Sequence, residues 1–309
     1  MPLSWRDRLL LTGLGAVPAP LARHLMFLLH SQPAAADALG YHVRPIHYYE
    51  PLPDFRAIRA DAPARRRVSP AIDFDLEGQR RLLTRLATAF AGELDGTDFD
   101  FANAYFAGLD AAIYYALIRD LRPARVIEIG SGMSSRIAAR ALERNRSDGH
   151  DGELVCIEPF PESRLTDNMP RATLIEQRVE DVPLEQFDAL GANDILFIDS
   201  SHAVKFGGDV CREFLEILPR LKPGVWVHVH DVFFPQDYPA DWVLKKRLAF
   251  NEQYLLEAFL AFNRAYAVRA CLHWLSTEHR DAVRAQWTAR VIDGAERHGP
   301  SSFWMTRVA

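Results

Sequence analysis

The sequence of 309 residues has few cysteines, no long apolar run and no excess of positive charge. The three cysteines, Cys156, Cys211 and Cys271, are far apart and form no CxxC pair, which argues against a disulfide framework or a zinc knuckle. Lys and Arg number 36 against 41 Asp and Glu, so there is no global basic field suited to nucleic acid. The absence of low-complexity tracts is typical of a folded globular protein. We therefore expect a cytoplasmic protein with a small-molecule ligand and no nucleic-acid partner.

The N-terminus is the one segment that imitates a targeting signal. Arg6 and Arg8 precede an apolar run at 9–17, and Pro18 and Pro20 follow it. The run is too short to span a bilayer, so we expect no membrane span. A signal peptide stays an alternative, but the sequence favours an amphipathic helix, either buried or lying on the surface.

Composition and patterning divide the chain near residue 104. Residues 1–104 are rich in Arg, Ala and Pro and contain predicted helices at 5–15, 20–30 and 77–94. We expect this part to form an N-terminal helical extension on the substrate side. Its apolar helices could cover a neighbouring subunit as easily as their own core, which leaves a homo-oligomer open.

From Tyr105 onwards, short apolar runs alternate with helical stretches, as in a βαβ series. The predicted strands are 126–130, 153–158, 172–176, 194–199, 224–230, 267–274 and 302–308. The predicted helices are 105–121, 134–145, 160–169, 184–190, 205–221, 251–263 and 277–294. The sequence therefore predicts one α/β domain over 105–309, with a doubly wound, seven-stranded, Rossmann-like sheet.

The first predicted strand runs into a glycine turn and then into a helix. Glu128 precedes Gly130, Ser131 and Gly132, and Ser135 stands where a dinucleotide-binding motif has its third glycine. The two glycines let the backbone turn sharply and approach a ligand, while the next helix offers unpaired N–H groups at its N-terminus. The motif predicts a nucleotide-type cofactor at this turn.

Acidic residues after the later strands extend this pattern. Glu158 ends the second strand and can accept hydrogen bonds from a ribose diol, Glu180 and Asp181 follow the third, and Asp199 closes the fourth. These residues alone leave other interpretations open. The protein could be a nicotinamide enzyme, a module that binds a cofactor without catalysis, or a Rossmann-like fold that has lost its cofactor.

With these motifs in place, the sequence resembles the class I S-adenosylmethionine-dependent methyltransferases over about residues 105–309. The resemblance implies a seven-stranded sheet with a reversed last strand and S-adenosylmethionine as cofactor. It also implies that the glycine turn holds the methionine portion, Glu158 the ribose, and the segment Val179–Asp181 the adenine.

Histidines and carboxylates cluster after the fourth and fifth predicted strands. Asp199 and His202 follow one strand, and His230 and Asp231 follow the next. Because the ends of neighbouring parallel strands meet at one edge of a sheet, these four side chains can converge. Two carboxylates and two imidazoles are typical of a divalent-metal site. His228 is predicted to be structural.

This cluster is similar to that of the metal-assisted O-methyltransferases of the macrolide-sugar type and their cephalosporin-tailoring relatives. The resemblance implies that Asp199 is a metal ligand and that His202 is the general base, with His202 as a further candidate ligand. His230 and Asp231 stand where those enzymes have an acidic pair, and the imidazole leaves Mg, Mn or Fe open as the metal. Two other interpretations remain: bonding of these side chains to the backbone without catalysis, and a non-haem iron oxygenase site of two histidines and a carboxylate.

The loop after Asp231 is predicted to form a lid that excludes water, or else a packed loop core. Its aromatic residues are Phe233, Phe234, Tyr238 and Trp242. Asn251 and Glu252 could reach the same opening from the next helix. Candidates to close it from the other side are Tyr48, Tyr49, Asn103 and Tyr105. The sequence thus predicts an enzyme that methylates a hydroxyl of a small molecule.

Overall fold

The computed structural model describes residues 17–67, 69–161, 169, 171–284, 286–288, 291–292 and 298–309. The chain divides into two compact units, Met1–Ile58 and Arg59–Ala309. Helices α1 (Ala19–Ser31) and α2 (Pro33–Ala38) lie in the first unit, so the predicted helix at 20–30 is confirmed. The predicted helix 5–15 and the signal-like run before Val17 lie outside the described residues.

The second unit begins earlier than the composition predicts. Helix α3 (Leu76–Leu94) belongs to it and packs against α4 (Gly108–Leu121). Leu83 and Leu86 of α3 are fully buried in the same apolar cluster as Ile113 of α4. Residues 59–104 therefore pack with the sheet, whereas the composition and patterning of the sequence group them with the N-terminal extension.

Seven strands form one sheet in the second unit. They are β1 (Arg125–Ile129), β2 (Glu153–Ile157), β3 (Ala172–Ile175), β4 (Ile195–Ile198), β5 (Trp226–Val229), β6 (Tyr266–Cys271) and β7 (Phe303–Arg307). Their order is β3-β2-β1-β4-β5-β7-β6, in which β1 to β5 are parallel and β7 is antiparallel to both of its neighbours. The predicted fold class, a doubly wound sheet with a reversed last strand, is confirmed.

Helices cover both faces of this sheet, which explains the apolar sequences of its central strands. Besides α3 and α4, they are α5 (Met133–Ser147), α6 (Glu185–Asp188), α7 (Asp209–Arg212), α8 (Glu252–Leu260), α9 (Leu272–Glu278) and α10 (Asp281–Arg284). Leu117 of α4 and Ile137 of α5 are buried against one face, and Phe214 and Leu256 against the other. No helix in the described part of the chain is long and apolar enough to span a bilayer.

Most helix predictions are confirmed, and the main error lies near the last two strands. The strand predicted at 267–274 ends at Cys271, and α9 begins at Leu272. Leu272 and Leu275 are both fully buried, so this short apolar run packs as a helical turn; such runs do not distinguish strand from helix. The helix predicted over 277–294 is not continuous, because α9 ends at Glu278 and α10 starts at Asp281, and part of the remainder lies outside the described residues.

One further helix prediction differs from the structure, and another cannot be compared with it. The helix predicted at 205–221 begins only at Asp209, and after α7 it continues as a π-helical turn (Glu213–Ile217) and a 3₁₀ turn (Leu218–Arg220). The helix predicted at 160–169 lies mostly outside the described residues.

Candidate cofactor and catalytic site

The glycine turn after β1 is built around one close backbone contact. Gly130 has φ +90°, and a Cβ at this position would lie 2.1 Å from the backbone oxygen of Asp199. Only glycine combines this φ with so close an approach. The N–H of Asp199 donates to the Ile129 carbonyl at 2.9 Å, which extends the pairing of β4 with β1. The ends of the two strands are thus held together at the edge where α5 begins.

Glu128 supports this turn from beneath and is fully buried. Its carboxylate accepts hydrogen bonds from the Tyr114 hydroxyl at 2.8 Å and from the Ser135 hydroxyl. Ser135 Oγ in turn accepts the N–H of Gly132 at 3.1 Å. Burial raises the pKa of Glu128 to about 7, although both hydroxyl hydrogen bonds lower it. Glu128, which the sequence predicts to bind the cofactor, is thus held beneath the turn by side-chain hydrogen bonds.

Glu158 lies beside the glycine turn. Its carboxylate accepts the N–H of Ser131 at 3.3 Å and the N–H of Phe160 at 2.8 Å. Glu180 and Asp181 lie on a short helical turn after β3, with Glu180 3.4 Å from the guanidinium of Arg178. The structure thus brings Glu158 to the turn and places the acidic pair after β3, two strands away in the sheet.

His202 is the centre of a second group of side chains. Its Nδ1 is 2.9 Å from Oε2 of Glu252, and its Nε2 is 3.3 Å from Oδ1 of Asp199 and 3.5 Å from Oδ2 of Asp231. The structure therefore brings together Asp199, His202 and Asp231. From the sequence, Glu252 is expected only to reach the opening. Its contact with His202 was not predicted.

Two backbone features hold this group in place. His202 and Asp231 adopt φ +57° and +55°, a left-handed conformation that costs free energy for residues other than glycine. The carbonyl of His202 accepts the N–H groups of Asn251 and Glu252 at 3.0 and 3.2 Å. These bonds fasten the loop after β4 to the start of α8 and so place the Glu252 carboxylate against the imidazole.

The carboxylates control the charge of His202. Burial lowers its pKa, but hydrogen bonds to Asp199 and Glu252 and the charge of Asp231 outweigh burial and raise the pKa well above the usual range. Burial would raise the pKa of Asp199, yet the charges of His230 and His202 and the hydrogen bond from His202 lower it to about 2. At neutral pH His202 is therefore an imidazolium that lies between carboxylates.

The predicted metal ligands do not fit a divalent ion in this arrangement. The His202 ring lies between Asp199 and Asp231, and Nε2 of His230 is 3.9 Å from Oδ1 of Asp231, an atom that also accepts a hydrogen bond from Ser301. Among the described residues, no three His, Cys, Asp or Glu side chains are arranged to hold a metal ion. The same geometry gives no support to the iron oxygenase alternative, which needs two histidines and a carboxylate on one ion.

His228 has a different setting from the other two histidines. Its ring is fully buried and stacks on Phe197 at 3.8 Å, and its Nε2 is 2.9 Å from the Ser302 hydroxyl. Burial lowers its pKa well below the usual range, so the ring is neutral. It packs between β4 and β7, in agreement with a structural role.

Aromatic side chains extend outwards from His202. The Phe250 ring is 5.0 Å from the imidazole and 5.9 Å from Trp242, and Trp242 is 5.5 Å from Phe233. Phe250 was not singled out from the sequence, because nothing in its local pattern marks it. Phe234 does not belong to this group. Its ring packs edge-on against the ring of Phe303, with 5.8 Å between the ring centroids.

The residues expected on the other side of the opening have varied settings. Asn103 stabilises its own turn by accepting the N–H groups of Tyr105 and Phe106, while the side chain of Tyr105 is exposed. Tyr48 and Tyr49 are exposed and belong to the first unit.

Comparisons with known proteins place this chain in a family. Residues 127–232 match a family model described as a methyltransferase domain. An uncharacterised protein of Archaeoglobus fulgidus is 31% identical over 170 residues, which are 49% of this chain and 75% of that protein.

Two solved structures illustrate the structural likeness. The O-methyltransferase from Bacillus cereus in complex with SAH is 14% identical, and the match covers 75% of this chain and 91% of that chain with a TM-score of 0.40. The MycE methyltransferase from the mycinamycin biosynthetic pathway, in complex with Mg and SAH, is 20% identical over 57% of this chain and 43% of that chain, with a TM-score of 0.33. The chain belongs to the methyltransferase family and has the fold of the class I S-adenosylmethionine-dependent enzymes.

Proposed function

We propose that this protein is an S-adenosylmethionine-dependent methyltransferase that acts on a hydroxyl group of a small molecule, with His202 as general base. One observation carries the proposal: the His202 imidazole is anchored through Nδ1 by buried Glu252, while Nε2 faces Asp199, whose backbone contacts the glycine turn. A titratable side chain is thus held next to the turn that would bind the cofactor.

The residues at the turn suit this cofactor. The glycine turn and the start of α5 would hold the methionine portion, and the Glu158 carboxylate is placed for the ribose hydroxyls. The segment Val179–Asp181 would border the adenine. When bound, the cofactor supplies an electrophilic methyl group.

His202 would take the proton of the acceptor hydroxyl at Nε2. An alcohol is a weak nucleophile near neutral pH, so a positioned base accelerates the reaction. When His202 is neutral and Nδ1–H donates to Glu252, the lone pair is on Nε2, as a base requires. Asp199 and Asp231 would accept hydrogen bonds from the acceptor and orient it. No step of this proposal involves a metal ion.

The surroundings of His202 indicate the kind of acceptor. Asp199, Asp231 and Glu252 disfavour an anionic acceptor and therefore nucleic acid, in keeping with the net charge of −5. Phe250 and Trp242 offer apolar ring surfaces beside the base. A neutral or cationic hydroxylated small molecule meets both conditions. The expectations of a cytoplasmic protein and of a substrate-side cap formed by residues 1–104 stay predictions.

The proposal is tested in two steps with purified protein. Calorimetric titration with S-adenosylhomocysteine should show binding by the wild type and by His202→Ala with similar affinity. Transfer of a radiolabelled methyl group to a panel of hydroxylated small molecules should fall by about 10²-fold or more in His202→Ala. Absence of wild-type binding would refute the methyltransferase assignment, and full turnover by His202→Ala would refute the base alone.

A further inference from the structure

A cavity lies in the Arg59–Ala309 unit, and the residues that line it are different from those of the glycine turn and the His202 group. Its volume is about 320 Å³, within the range of small-molecule sites. The apolar part of its wall is formed by Ile72, Phe74, Phe234 and Trp274. None of the residues assigned to the cofactor, the base or the carboxylates around it lines this cavity.

Three aromatic rings give the cavity its shape. The Phe74 ring is 5.4 Å from Trp274 at an interplanar angle of 59°, and 6.3 Å from Phe234 at 89°. Rings at such mutual angles present both faces and edges to a ligand ring, which is the geometry that aromatic pairs prefer. Phe74 and Trp274 are only partly buried, whereas Phe234 is buried. The wall therefore suits a flat aromatic group.

Two arginines supply positive charge beside these rings. Arg67 is fixed by Asp237 at 2.8 Å and by Glu257 at 3.1 Å, so it forms a rigid side of the cavity. Arg66 pairs at 2.8 Å with Glu278, and 49% of its side chain is exposed. Because exposed ion pairs are weak, a ligand anion can replace Glu278 at Arg66. The lining contains these two guanidinium groups and one carboxylate, Glu257, while Asp237 and Glu278 contact the guanidinium groups from outside the lining.

The cavity also touches elements that build the candidate catalytic site. The N–H of Arg67 donates to the carbonyl of Pro235 at 2.8 Å, and its guanidinium holds Asp237 in the loop that starts at Asp231. Glu257 lies on α8, the helix that begins with Glu252. The wall of the cavity thus joins the loop and the helix that carry two of the carboxylates around His202.

We propose that this cavity is a second ligand site, which takes a small, flat aromatic molecule with one negative charge. The aromatic part lies against Phe74, Phe234 and Trp274, and the anionic group pairs with Arg66. This inference does not depend on the proposed methyltransferase activity, because it uses only the shape and charge of the cavity.

The test uses 8-anilinonaphthalene-1-sulfonate, an aromatic monoanion whose fluorescence rises in apolar sites. Full-length protein is titrated with the probe in the presence and absence of S-adenosylhomocysteine. We expect saturable binding of one probe molecule, unaffected by S-adenosylhomocysteine. Ser69→Trp, which fills the cavity, should weaken binding at least tenfold, while Ser69→Ala should bind as the wild type does.

A second pair of variants tests the charge and does not depend on the cavity-filling change. Arg66→Gln should weaken probe binding several-fold, and Arg65→Gln, one residue away and not part of the lining, should leave it unchanged. Probe binding that Ser69→Trp and Arg66→Gln both leave intact, or that S-adenosylhomocysteine displaces, would overturn the proposal. The proposal would also be overturned if wild-type protein showed no saturable probe binding although its cooperative unfolding transition shows that it is folded.

Discussion

Nδ1 of His202 lies 2.9 Å from Oε2 of Glu252, fifty residues further along the chain, and Glu252 is only 1% exposed. A buried carboxylate in this position fixes the orientation of the imidazole and stabilises its protonated form. This contact, rather than either residue alone, makes His202 suitable as a base whose other nitrogen faces the carboxylates at the sheet edge.

Replacement of this carboxylate should affect turnover and its pH dependence. Because His202 has a raised pKa and must be neutral to act as a base, wild-type turnover should be low below that pKa and rise as the pH increases through it. Glu252→Gln removes a negative charge from Nδ1, so the rise should move to lower pH, and the maximal rate should fall by about 10²-fold because orientation is lost.

The control for this prediction is Glu257→Gln, on the same helix but bonded to Arg67 instead of His202. Pre-steady-state methyl transfer, measured over a pH series that extends until the wild-type rate stops rising, gives both the pH range of the rise and the maximal rate. If the methyl-transfer rate of Glu252→Gln rises over the same pH range as that of the wild type, His202 does not govern the pH dependence.

The contact between Gly130 and Asp199 can be tested with a matched pair of glycines. Gly130→Ala introduces a Cβ 2.1 Å from the Asp199 carbonyl oxygen, whereas Gly149 has nearly the same φ, +87°, with nothing within 4 Å. Strain alone should cost Gly149→Ala about 1–2 kcal/mol of unfolding free energy. Gly130→Ala should lose more than this and also lose affinity for S-adenosylhomocysteine. Urea unfolding and calorimetry measure both quantities, and equal losses in the two variants would disprove the role of the contact.

Burial of Glu128 predicts a pH-dependent stability. Its pKa of about 7 in the folded protein exceeds the usual 4.5, so folding favours the protonated form, and stability falls as the pH rises from about 4.5 to 7. The loss amounts to about 3 kcal/mol at 1.36 kcal/mol per pKa unit. Glu128→Gln lacks this titration, so its stability relative to wild type should improve with increasing pH. Unfolding at pH 5 and pH 8 measures the difference, and the exposed Glu176→Gln serves as control; a constant difference would contradict a raised pKa.

The Glu158 carboxylate offers a test of the cofactor position. Glu158→Ala removes the acceptor of the Ser131 N–H and the expected partner of the ribose hydroxyls, and should weaken S-adenosylhomocysteine binding by about 1–3 kcal/mol. Glu176→Ala removes an exposed charge that follows β3, and should leave the affinity unchanged. If calorimetry gives the same affinity for both variants, the ribose lies elsewhere.

The sheet and its active edge could be predicted because their signals are local. Short, mostly apolar runs mark β1 to β5, and the strand-end positions of Gly130, Asp199 and Asp231 follow directly from those runs. The pairing of Glu252 with His202 could not be predicted, because it depends on how the loop after β4 meets α8 in three dimensions. The burial of Glu128 did have a signal: alternate strand residues face opposite sides, so Glu128 shares the helix-covered face with Val126.

The position of His202 also predicts how the site responds to divalent ions. The imidazolium already supplies positive charge between Asp199 and Asp231, so an ion that bridges them must displace this ring and leave Glu252 without its partner. We therefore expect chelator-treated protein to keep its turnover, and calorimetry with Mn²⁺ to show weak binding that strengthens as the pH rises through the raised pKa of His202. His230→Asn, which removes the predicted imidazole ligand, should leave this weak binding unchanged. Loss of turnover on chelation, with recovery in Mg²⁺, Mn²⁺ or Fe²⁺, would instead mean that His202 swings away and that Asp199, His230 and Asp231 hold an ion during catalysis.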